Sequence, residues 1–182
     1  VIGPGLGQEA GAERLLDLVL QEAKKLPELP VVIDADGLNL LAKKRLYSTL
    51  GRQYVLTPHL REMSRLSGKS VQEIADDMTS AVMGQQAGAT IVLKDARTLV
   101  SDGDWLYINL SGNSALSTGG SGDVLSGMIG GLLAQGCTQR TAATLAVYMH
   151  GLTAEQYCES APPHCMLARD ILEMIPKIGG NS

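Results

Sequence analysis

The sequence predicts an α/β fold, a layered domain in which helices flank a mostly parallel central sheet. A short, continuous apolar run, typical of a strand that is buried on both faces, occurs at Val31–Ile33, and further strands are predicted as short runs at Tyr54–Leu56 and Thr90–Leu93. Segments with apolar residues at helical spacing separate these runs, and this alternation is typical of parallel βαβ units. Because neither an internal repeat nor a linker interrupts the pattern, we expect a single domain over residues 1–182.

The helices of this domain are predicted from apolar residues that recur three and four positions apart. In chain order they span residues 8–26, 38–44, 60–66, 71–87, 124–134, 138–159 and 168–174. Pro27 and Pro30 end the first of them, because proline interrupts helical hydrogen bonding. Leu99–Val100 and Trp105–Ile108 flank an Asp102–Gly103 turn, which predicts a β-hairpin after the third strand.

Composition excludes several classes of function. With 15 Lys and Arg against 19 Asp and Glu, the net charge is −4, so we expect no nucleic-acid surface and no basic membrane patch. No apolar run approaches the roughly 20 residues of a membrane-spanning helix. Three cysteines without a C-x-x-C pair predict neither a disulfide framework nor a zinc ribbon, and they lack metal-ligand spacing with His150 and His164, so all five residues are interpreted as structural. A cytoplasmic location is the default expectation.

The first residues have the character of a strand tail that runs into a glycine-rich loop. We therefore expect that residues 1–182 are the C-terminal portion of a domain whose N-terminal part lies outside this sequence. Loss of early strands would expose a sheet edge, and an exposed edge favours self-association.

Polar side chains and glycines follow the predicted strands at the point where each strand ends. In an α/β sheet, ligands bind in the crevice beyond the carboxyl ends of the strands. These clusters therefore predict a ligand site at one edge of the sheet; they are Gly3–Gly7, Asp34 with Asp36, Thr57 with His59, Lys94 with Asp95, and the glycine loop before Asp123.

The segment Gly119-Gly120-Ser121-Gly122-Asp123 precedes a predicted helix and has the composition of an anion-binding loop. Glycines let backbone N–H groups converge, and a helix N-terminus carries about half a positive charge, so the two together favour a phosphate. Asp123 could be a general base for a hydroxyl that accepts a phosphoryl group, or it could complement the helix dipole. The segment is not a P-loop, and Gly3–Gly7 lacks the Rossmann spacing and could equally be a structural turn.

Other polar residues of this edge admit more than one interpretation. Asp34 and Asp36 could hold Mg²⁺ through water molecules or cap the following helix, and capping is favoured for Asp36. His59, three residues before Glu62 at a strand–helix junction, is predicted to contact a ligand. Lys94 at a strand end is a candidate phosphate contact, with a solvated surface lysine as the alternative.

Four motifs follow one another along the chain. They are V-I-G-P-G-L-G at 1–7, V-I-D-A-D-G-L-N at 32–39, L-T-P-H-L-R-E-M at 56–63, and G-N at 112–113 continued by G-G-S-G-D-V-L-S-G at 119–127. This series resembles the ADP/ATP-dependent NAD(P)H-hydrate dehydratase family of the ribokinase-like superfamily, over nearly the whole chain. The resemblance implies a ribokinase-like layered domain and a hydro-lyase that repairs nicotinamide cofactors: (S)-NADHX or (S)-NADPHX, the hydrated forms, lose water while ADP or ATP is hydrolysed.

The resemblance also implies roles for single residues. Gly5, His59 and Asp123 would contact the hydrated dinucleotide, and Glu62 resembles the glutamate of an N-x-x-E motif that organises Mg²⁺, here through water and with His59 in place of the Asn. The residues implied to bind the adenine nucleotide are Lys94, Asp95, Ala96, Arg97, Thr98, Gly120 and Gly122, and the anion loop is Gly119, Gly120, Ser121 and Gly122. Asp95 stands where the family usually has glycine, so a Cβ and a negative charge enter near the phosphates.

The mechanism we expect is activation followed by elimination. Phosphoryl transfer would convert the ring hydroxyl into a better leaving group, with Asp123 as the catalytic residue that takes the hydroxyl proton and with Mg²⁺ and the loop amides stabilising the phosphoryl charge. Two other functions stay open: a ribokinase-like kinase for a thiazole or pyrimidine alcohol, and a non-catalytic nucleotide-binding module. The resemblance further implies a homo-oligomer, a tetramer, and an epimerase domain or partner; the choice of ADP or ATP and of NADHX or NADPHX stays open.

Overall fold

The computed structural model describes residues 1–83 and 88–178, in which helices surround a five-stranded sheet. The strands are β1 (Val31–Ile33), β2 (Tyr54–Leu56), β3 (Thr90–Leu93), β4 (Leu99–Ser101) and β5 (Leu106–Ile108). The helices are α1 (Ala10–Lys25), α2 (Ala35–Lys44), α3 (Leu60–Ser67), α4 (Val71–Asp76), α5 (Met78–Met83), α6 (Ser121–Ala134), α7 (Gln139–Cys158) and α8 (Ala168–Ile178). Short 3₁₀ turns lie at Tyr47–Thr49, Ser114–Leu116 and Pro163–Cys165.

The sheet has the order β1-β2-β3-β4-β5, so strands adjacent in sequence are adjacent in space. β1, β2 and β3 are parallel, whereas β3, β4 and β5 pair in antiparallel fashion. Ile2 forms an isolated parallel bridge with Ile33 of β1 and so extends the parallel part of the sheet. The predicted α/β class, the three predicted strands, the burial of Val31–Ile33 and the hairpin are confirmed. The hairpin turn contains Gly103 at φ +94°.

Helices cover both faces of the sheet because successive strand residues point to opposite sides. Ile33, Leu56 and Ile91 pack on one face in a cluster with residues of α1 to α5. Val32 and Val55 pack on the other face against α6 and α7. β1 and β2 are therefore apolar at every position, and the domain has three layers with the sheet in the middle.

α7 is 20 residues long and connects the sheet to the C-terminal part of the described chain. Its buried Ala154 packs with Ala115, Met166 and Ile171, so that α7 contacts both the loop after β5 and α8. Neither α7 nor another helix in the described ranges is long and apolar enough to cross a membrane.

The helix predicted over 71–87 is interrupted, and within its described part it consists of α4 and α5. Asp77 leaves the helical conformation at φ −144°, and its carboxylate accepts a hydrogen bond from the Ser80 backbone N–H at 2.9 Å. The backbone of Asp77 thus ends α4, and its carboxylate caps the start of α5. Residues 84–87 of the predicted helix lie outside the described residues.

Two helices begin earlier than their apolar spacing predicts. α2 begins at Ala35, because the Asp34 side chain accepts the Ala35 backbone N–H and acts as the N-cap. α6 begins at Ser121, inside the segment predicted to be a loop, with Gly120 as its N-cap. Asp123 consequently lies in the first turn of α6.

Candidate functional site

A cavity of about 820 Å³ opens at the edge of the sheet where β2, β3 and β5 end. Its walls come from the segments that follow these strands, from the start of α6 and from one face of α7. The lining residues are His59, Lys94, Asp95, Ala96, Thr98, Asn109, Ser111, Gly112, Asn113, Ser114, Leu116, Ser117, Thr118, Ser121, Gly122, Leu125, Val147 and His150. Three of the five predicted polar segments therefore meet here, whereas the Gly3–Gly7 loop and Asp36 lie outside the lining.

Lys94 lines the cavity and forms an ion pair with Asp34. Lys94 Nζ lies 2.8 Å from Asp34 Oδ1, and Asp34 also accepts hydrogen bonds from Ser126 Oγ at 2.6 Å and from the Ala35 N–H at 2.8 Å. The same ammonium lies 3.4 Å from the position that a Cβ on Gly122 would take. A buried carboxylate thus holds the Lys94 ammonium beside the start of α6, where it can meet an anionic ligand.

Asp36 binds the glycine-rich loop at the start of the chain. Its Oδ2 accepts the Gly7 backbone N–H and its Oδ1 accepts Gln8 Nε2, both at 3.0 Å. The prediction that Asp36 caps a helix is wrong, because α2 begins at Ala35, three residues before its predicted start at residue 38, and Asp34 occupies the N-cap position. The carboxylates of Asp34 and Asp36 both accept hydrogen bonds from groups of the protein itself.

The Gly3–Gly7 loop combines a glycine that is required by packing with one that faces open space. Gly3 has φ +126°, and a Cβ there would lie 1.8 Å from the Asp34 backbone oxygen. Gly5 has φ +64°, is exposed, and has no atom within 4 Å of the position of a Cβ. Gly5 is therefore accessible to a ligand, although it does not line the cavity.

His59 and Glu62 form the N-terminal cap of α3. His59 Nδ1 accepts the backbone N–H groups of Arg61 at 3.1 Å and Glu62 at 3.3 Å, and Glu62 Oε2 accepts the His59 N–H at 2.9 Å. Because Nδ1 is an acceptor, the neutral ring carries its proton on Nε2. His59 is half-exposed and lines the cavity, so the structure places this predicted ligand contact where a ligand can reach it.

The glycine loop ends at Gly120, which is the N-cap of α6. Gly120 has φ +85°, the left-handed region that favours glycine, and it is followed by Ser121 and Gly122, which line the cavity. Gly119 and Gly120 are exposed and lie outside the lining. Asp123 is also exposed, next to Gly122, and its carboxylate is not enclosed by protein.

The segment after β3 contributes three of its four predicted contacts besides Lys94. Asp95, Ala96 and Thr98 line the cavity, whereas Arg97 is exposed and lies outside it. Thr98 Oγ1 donates to the Asp95 backbone oxygen at 3.3 Å, and the Thr98 oxygen accepts the Asn109 N–H at 2.9 Å. These bonds fix the turn, and the Asp95 carboxylate adds negative charge to the cavity wall.

His150, which the sequence indicates as structural, lies in the cavity wall. Its Nε2 lies 3.1 Å from both the hydroxyl and the backbone oxygen of Ser121, the first residue of α6. Burial lowers the pKa of His150 to about 4; the hydrogen bond to Ser121 opposes this shift, and the nearby Lys94 charge adds to it. The ring is therefore neutral at pH 7. The sequence signal that could have identified it is a histidine followed directly by Gly151 in the middle of a predicted helix.

Among the described residues, no three side chains of His, Cys, Asp or Glu come together to hold a metal ion. Glu62, the implied magnesium ligand, is buried and uses Oε2 in the cap of α3, which leaves Oε1 near His59 Nε2 at 3.6 Å. His164 is exposed at the turn Pro163–Cys165, and the three cysteines are free thiols.

The mixed α/β sheet has a cavity at one edge, and a helix N-terminus that follows Gly120 and an ion-paired lysine lie at that cavity. These features define an α/β domain of the ribokinase-like class. More particularly, the chain belongs to the NAD(P)H-hydrate dehydratase family, whose sequence model matches residues 1–177. The resemblance seen in the four motifs is confirmed by this match.

Comparison with known proteins gives relatives of two sizes. The chain is 44% identical over 167 residues to the ADP-dependent (S)-NAD(P)H-hydrate dehydratase of Neisseria meningitidis serogroup B, covering 88% of this chain and 55% of that protein. It is 39% identical over 174 residues to the bifunctional NAD(P)H-hydrate repair enzyme Nnr of Coxiella burnetii, covering 94% and 34%. This chain thus spans about half of the first relative and a third of the second.

A solved structure supports the same assignment of the fold. The crystal structure of ADP/ATP-dependent NAD(P)H-hydrate dehydratase from Bacillus subtilis, co-crystallized with ATP/Mg²⁺, matches this chain with a TM-score of 0.82 at 32% identity. The match covers 97% of this chain and 62% of that one. The layered ribokinase-like fold is therefore confirmed over nearly all of the chain.

Proposed function

We propose that this chain carries the site at which hydrated NADH or NADPH loses water at the expense of an adenine nucleotide. The observation that carries the proposal is the meeting of Lys94, held 2.8 Å from Asp34, with Gly122 at the start of α6, directly before an exposed Asp123. Two relatives named as (S)-NAD(P)H-hydrate or NAD(P)H-hydrate dehydratases support it.

The reaction requires a better leaving group than hydroxide. The terminal phosphoryl group of the nucleotide passes to the oxygen of the ring hydroxyl, the hydroxyl proton passes to the Asp123 carboxylate, and ATP leaves as ADP or ADP leaves as AMP. The lone pair of the ring nitrogen then expels phosphate as the C–O bond breaks. Loss of a proton from the adjacent ring carbon restores the double bond of the reduced nicotinamide.

The residues of the candidate site have separate physical roles in this proposal. The N–H groups at the start of α6 and the Lys94 ammonium stabilise negative charge on the phosphoryl oxygens, because they are held in place before the charge develops. His59 offers an Nε2–H donor to the hydrated dinucleotide, and Gly5 leaves room for a ring or a phosphate near the backbone. Asp123 is exposed and so can be reached by the hydroxyl.

Magnesium fits this site as an ion carried mainly by the nucleotide. Mg²⁺ keeps several water ligands and is commonly bound through one or two carboxylates and substrate phosphates. Glu62 is the carboxylate that would hold it, through Oε1 and water, since Oε2 is used in the cap of α3. When bound, the ion would neutralise charge on the phosphate oxygens.

The wider setting of the reaction is part of the same proposal. ADP is the first co-substrate to test, because the N. meningitidis relative is named as ADP-dependent, and ATP is the second. The bifunctional name of the C. burnetii relative supports a second repair activity, such as an epimerase, in a partner or neighbouring domain. A homo-oligomer, specifically a tetramer, and a cytoplasmic location stay predictions.

A direct assay tests the proposed function. The full chain is incubated with hydrated NADH or NADPH, Mg²⁺ and either ADP or ATP, and recovery of the reduced-nicotinamide absorbance is followed together with AMP or ADP formation. We expect one nucleotide consumed for each reduced cofactor recovered, and no recovery without nucleotide. Nucleotide-dependent phosphorylation of a thiazole or pyrimidine alcohol in place of cofactor recovery would contradict the proposal.

A further inference from the structure

Helix α7 carries the loop that joins β5 to α6. Ser111 Oγ donates to the Tyr148 backbone oxygen at 2.9 Å, and the Gly112 N–H donates to Glu155 Oε1 at 2.7 Å. The approach is close, because a Cβ on Gly151 would lie 2.1 Å from Ser111 Oγ. The first part of the loop is therefore fixed on α7, and its last part meets α7 again at His150.

The contact between His150 and Ser121 determines where the imidazole proton lies. His150 Nε2 is 3.1 Å from Ser121 O and 3.1 Å from Ser121 Oγ. A backbone oxygen can accept but not donate, so a neutral ring without a proton on Nε2 would set two lone pairs against each other. Nε2 therefore carries the proton, and Nδ1 does not. The low pKa of His150 keeps this ring neutral above about pH 4.

The tautomer in turn orients the hydroxyl of Ser121. Because His150 Nε2–H is directed at both oxygens of Ser121, Ser121 Oγ is an acceptor in this contact and its own hydrogen is free to donate elsewhere. Ser121 lines the cavity together with Gly122, next to which the Lys94 ammonium lies. The hydroxyl hydrogen is thus available at the point where the α6 N-terminus and Lys94 favour negative charge.

We propose that His150 is a positioning residue that makes the Ser121 hydroxyl a donor to a phosphate oxygen of the bound nucleotide. This inference rests on the proposed function, because it takes the ligand of the cavity to be an adenine nucleotide. The same geometry argues against a Ser121–His150 nucleophilic pair, since a ring nitrogen that already carries a proton cannot take the serine proton. Ser121 donates a hydrogen bond and forms no covalent intermediate.

Three variants test the roles of the His150 Nε2–H donor and of the Ser121 hydroxyl. His150→Gln places an amide donor near the position of Nε2, whereas His150→Leu removes the donor, and Ser121→Ala removes the hydroxyl itself. His164→Leu is the matched control, because His164 is exposed and does not line the cavity. Each full-length variant is compared with the wild-type chain by calorimetric titration of ADP and ATP with Mg²⁺, and its melting temperature confirms that it is folded.

We expect Ser121→Ala and His150→Leu to raise the nucleotide dissociation constant by about tenfold, which is typical of one hydrogen bond to a charged group. The double variant is expected to be no worse than Ser121→Ala, and His150→Gln to stay within about threefold of wild type. In long-range ¹H–¹⁵N spectra, the His150 signals, identified by their loss in His150→Gln, should show a protonated Nε2 and a bare Nδ1 at pH 7.

The outcomes separate this inference from the proposed function. A wild-type chain that binds neither ADP nor ATP would overturn the proposed function, and with it the nucleotide contact of Ser121. Wild-type binding that Ser121→Ala leaves unchanged would overturn the inference alone, even if His150→Leu fails to fold. A bare Nε2 in the spectra would also overturn it, because the hydroxyl would then donate to the ring.

Discussion

Asp34 and Lys94, which are 60 positions apart in the chain, form an ion pair of 2.8 Å that joins the start of α2 to the wall of the cavity. The Asp34 side chain is 1% exposed and that of Lys94 is 22% exposed. Asp34 therefore has two roles, since it caps α2 and supplies the negative charge that holds the Lys94 ammonium beside Gly122. The pair connects the stability of the fold to the proposed nucleotide site.

Lys94→Met is expected to lower the free energy of unfolding by about 2 kcal/mol, less than the roughly 3–5 kcal/mol for a completely buried pair, because the Ala35 and Ser126 donors still bind Asp34. Urea denaturation measures this loss. Adding Asp34→Asn to Lys94→Met should restore part of it, because the amide keeps an acceptor for the cap and removes the unpaired charge. A double variant less stable than Lys94→Met would contradict this account of the pair.

Gly3→Ala is expected to destabilise the chain by more than about 3 kcal/mol, because the new Cβ would lie 1.8 Å from the Asp34 backbone oxygen in a left-handed conformation. Gly5→Ala is the matched control, with φ +64° but no atom within 4 Å of its Cβ, and should cost only about 1 kcal/mol. Urea unfolding of the two variants separates backbone strain from steric overlap. Equal losses would show that the close approach at Gly3 is not present in solution.

Local sequence patterns were sufficient to predict where the strands of the sheet lie in the chain. Val31–Ile33 is buried at all three positions, and the continuous apolar run indicated this because each face of the sheet is covered by helices. The break between α4 and α5 was not predicted, since apolar spacing continues across it while Asp77 takes up a non-helical conformation. The spacing of apolar residues indicates which face of a helix is buried. It does not indicate where a polar side chain binds a backbone N–H and interrupts the helix.

The contacts within the site depend on tertiary structure and were beyond such patterns. The motifs placed Lys94 and the glycine loop at the same edge of the sheet, but nothing local indicates that Ser126 donates to Asp34 from 92 positions away. The same holds for His150, whose partner Ser121 is 29 positions earlier in the chain. Sequence indicated which segments converge, and the packing of α6 and α7 on the sheet determines which atoms meet.

Asp123→Asn is expected to reduce the rate of nucleotide-dependent dehydration by about 10²- to 10⁴-fold, which is the usual contribution of a general base. Asn cannot take the hydroxyl proton, although it preserves the size of the side chain in the first turn of α6. The dissociation constants of ADP and ATP, measured by calorimetry, should change by less than about threefold. Asp76→Asn, an exposed carboxylate at the end of α4, serves as the control. Unchanged turnover by Asp123→Asn would remove this residue from the mechanism.

Asp95→Asn and Asp95→Gly are expected to tighten nucleotide binding, and ATP more than ADP, because the Asp95 carboxylate lines the cavity and repels phosphate charge. Because Asp95 is exposed to solvent, the gain in the free energy of nucleotide binding should be on the order of 1 kcal/mol or less, and it should decrease as salt is added. The two substitutions separate charge from size, since Asn keeps the Cβ that Gly lacks. If Asp95→Asn binds like wild type and Asp95→Gly binds more tightly, the steric effect of the Cβ dominates and the electrostatic prediction is wrong.

Stability should fall in mild acid because of His150. Burial lowers the pKa of His150 from its ordinary value of 6.5 to about 4 in the folded chain, so the unfolded chain binds a proton between these pH values and the folded chain does not. The free energy of unfolding is therefore unaffected by the protonation of His150 above about pH 6.5. Below that pH it falls by about 1.36 kcal/mol for each pH unit, until the pH reaches about 4. Between pH 7 and pH 5 the wild-type chain should therefore lose about 2 kcal/mol more than His150→Gln, as measured by urea denaturation.

The carboxylates titrate in both chains, so the difference between the two curves isolates His150. His164→Gln should follow the wild-type curve throughout, because His164 is exposed at the turn Pro163–Cys165. If the wild-type and His150→Gln curves stay parallel between pH 7 and pH 5, His150 is protonated as easily in the folded chain as in the unfolded one. The ring would then be accessible to water and could not act as the fixed neutral donor to Ser121 on which the orientation of the hydroxyl depends.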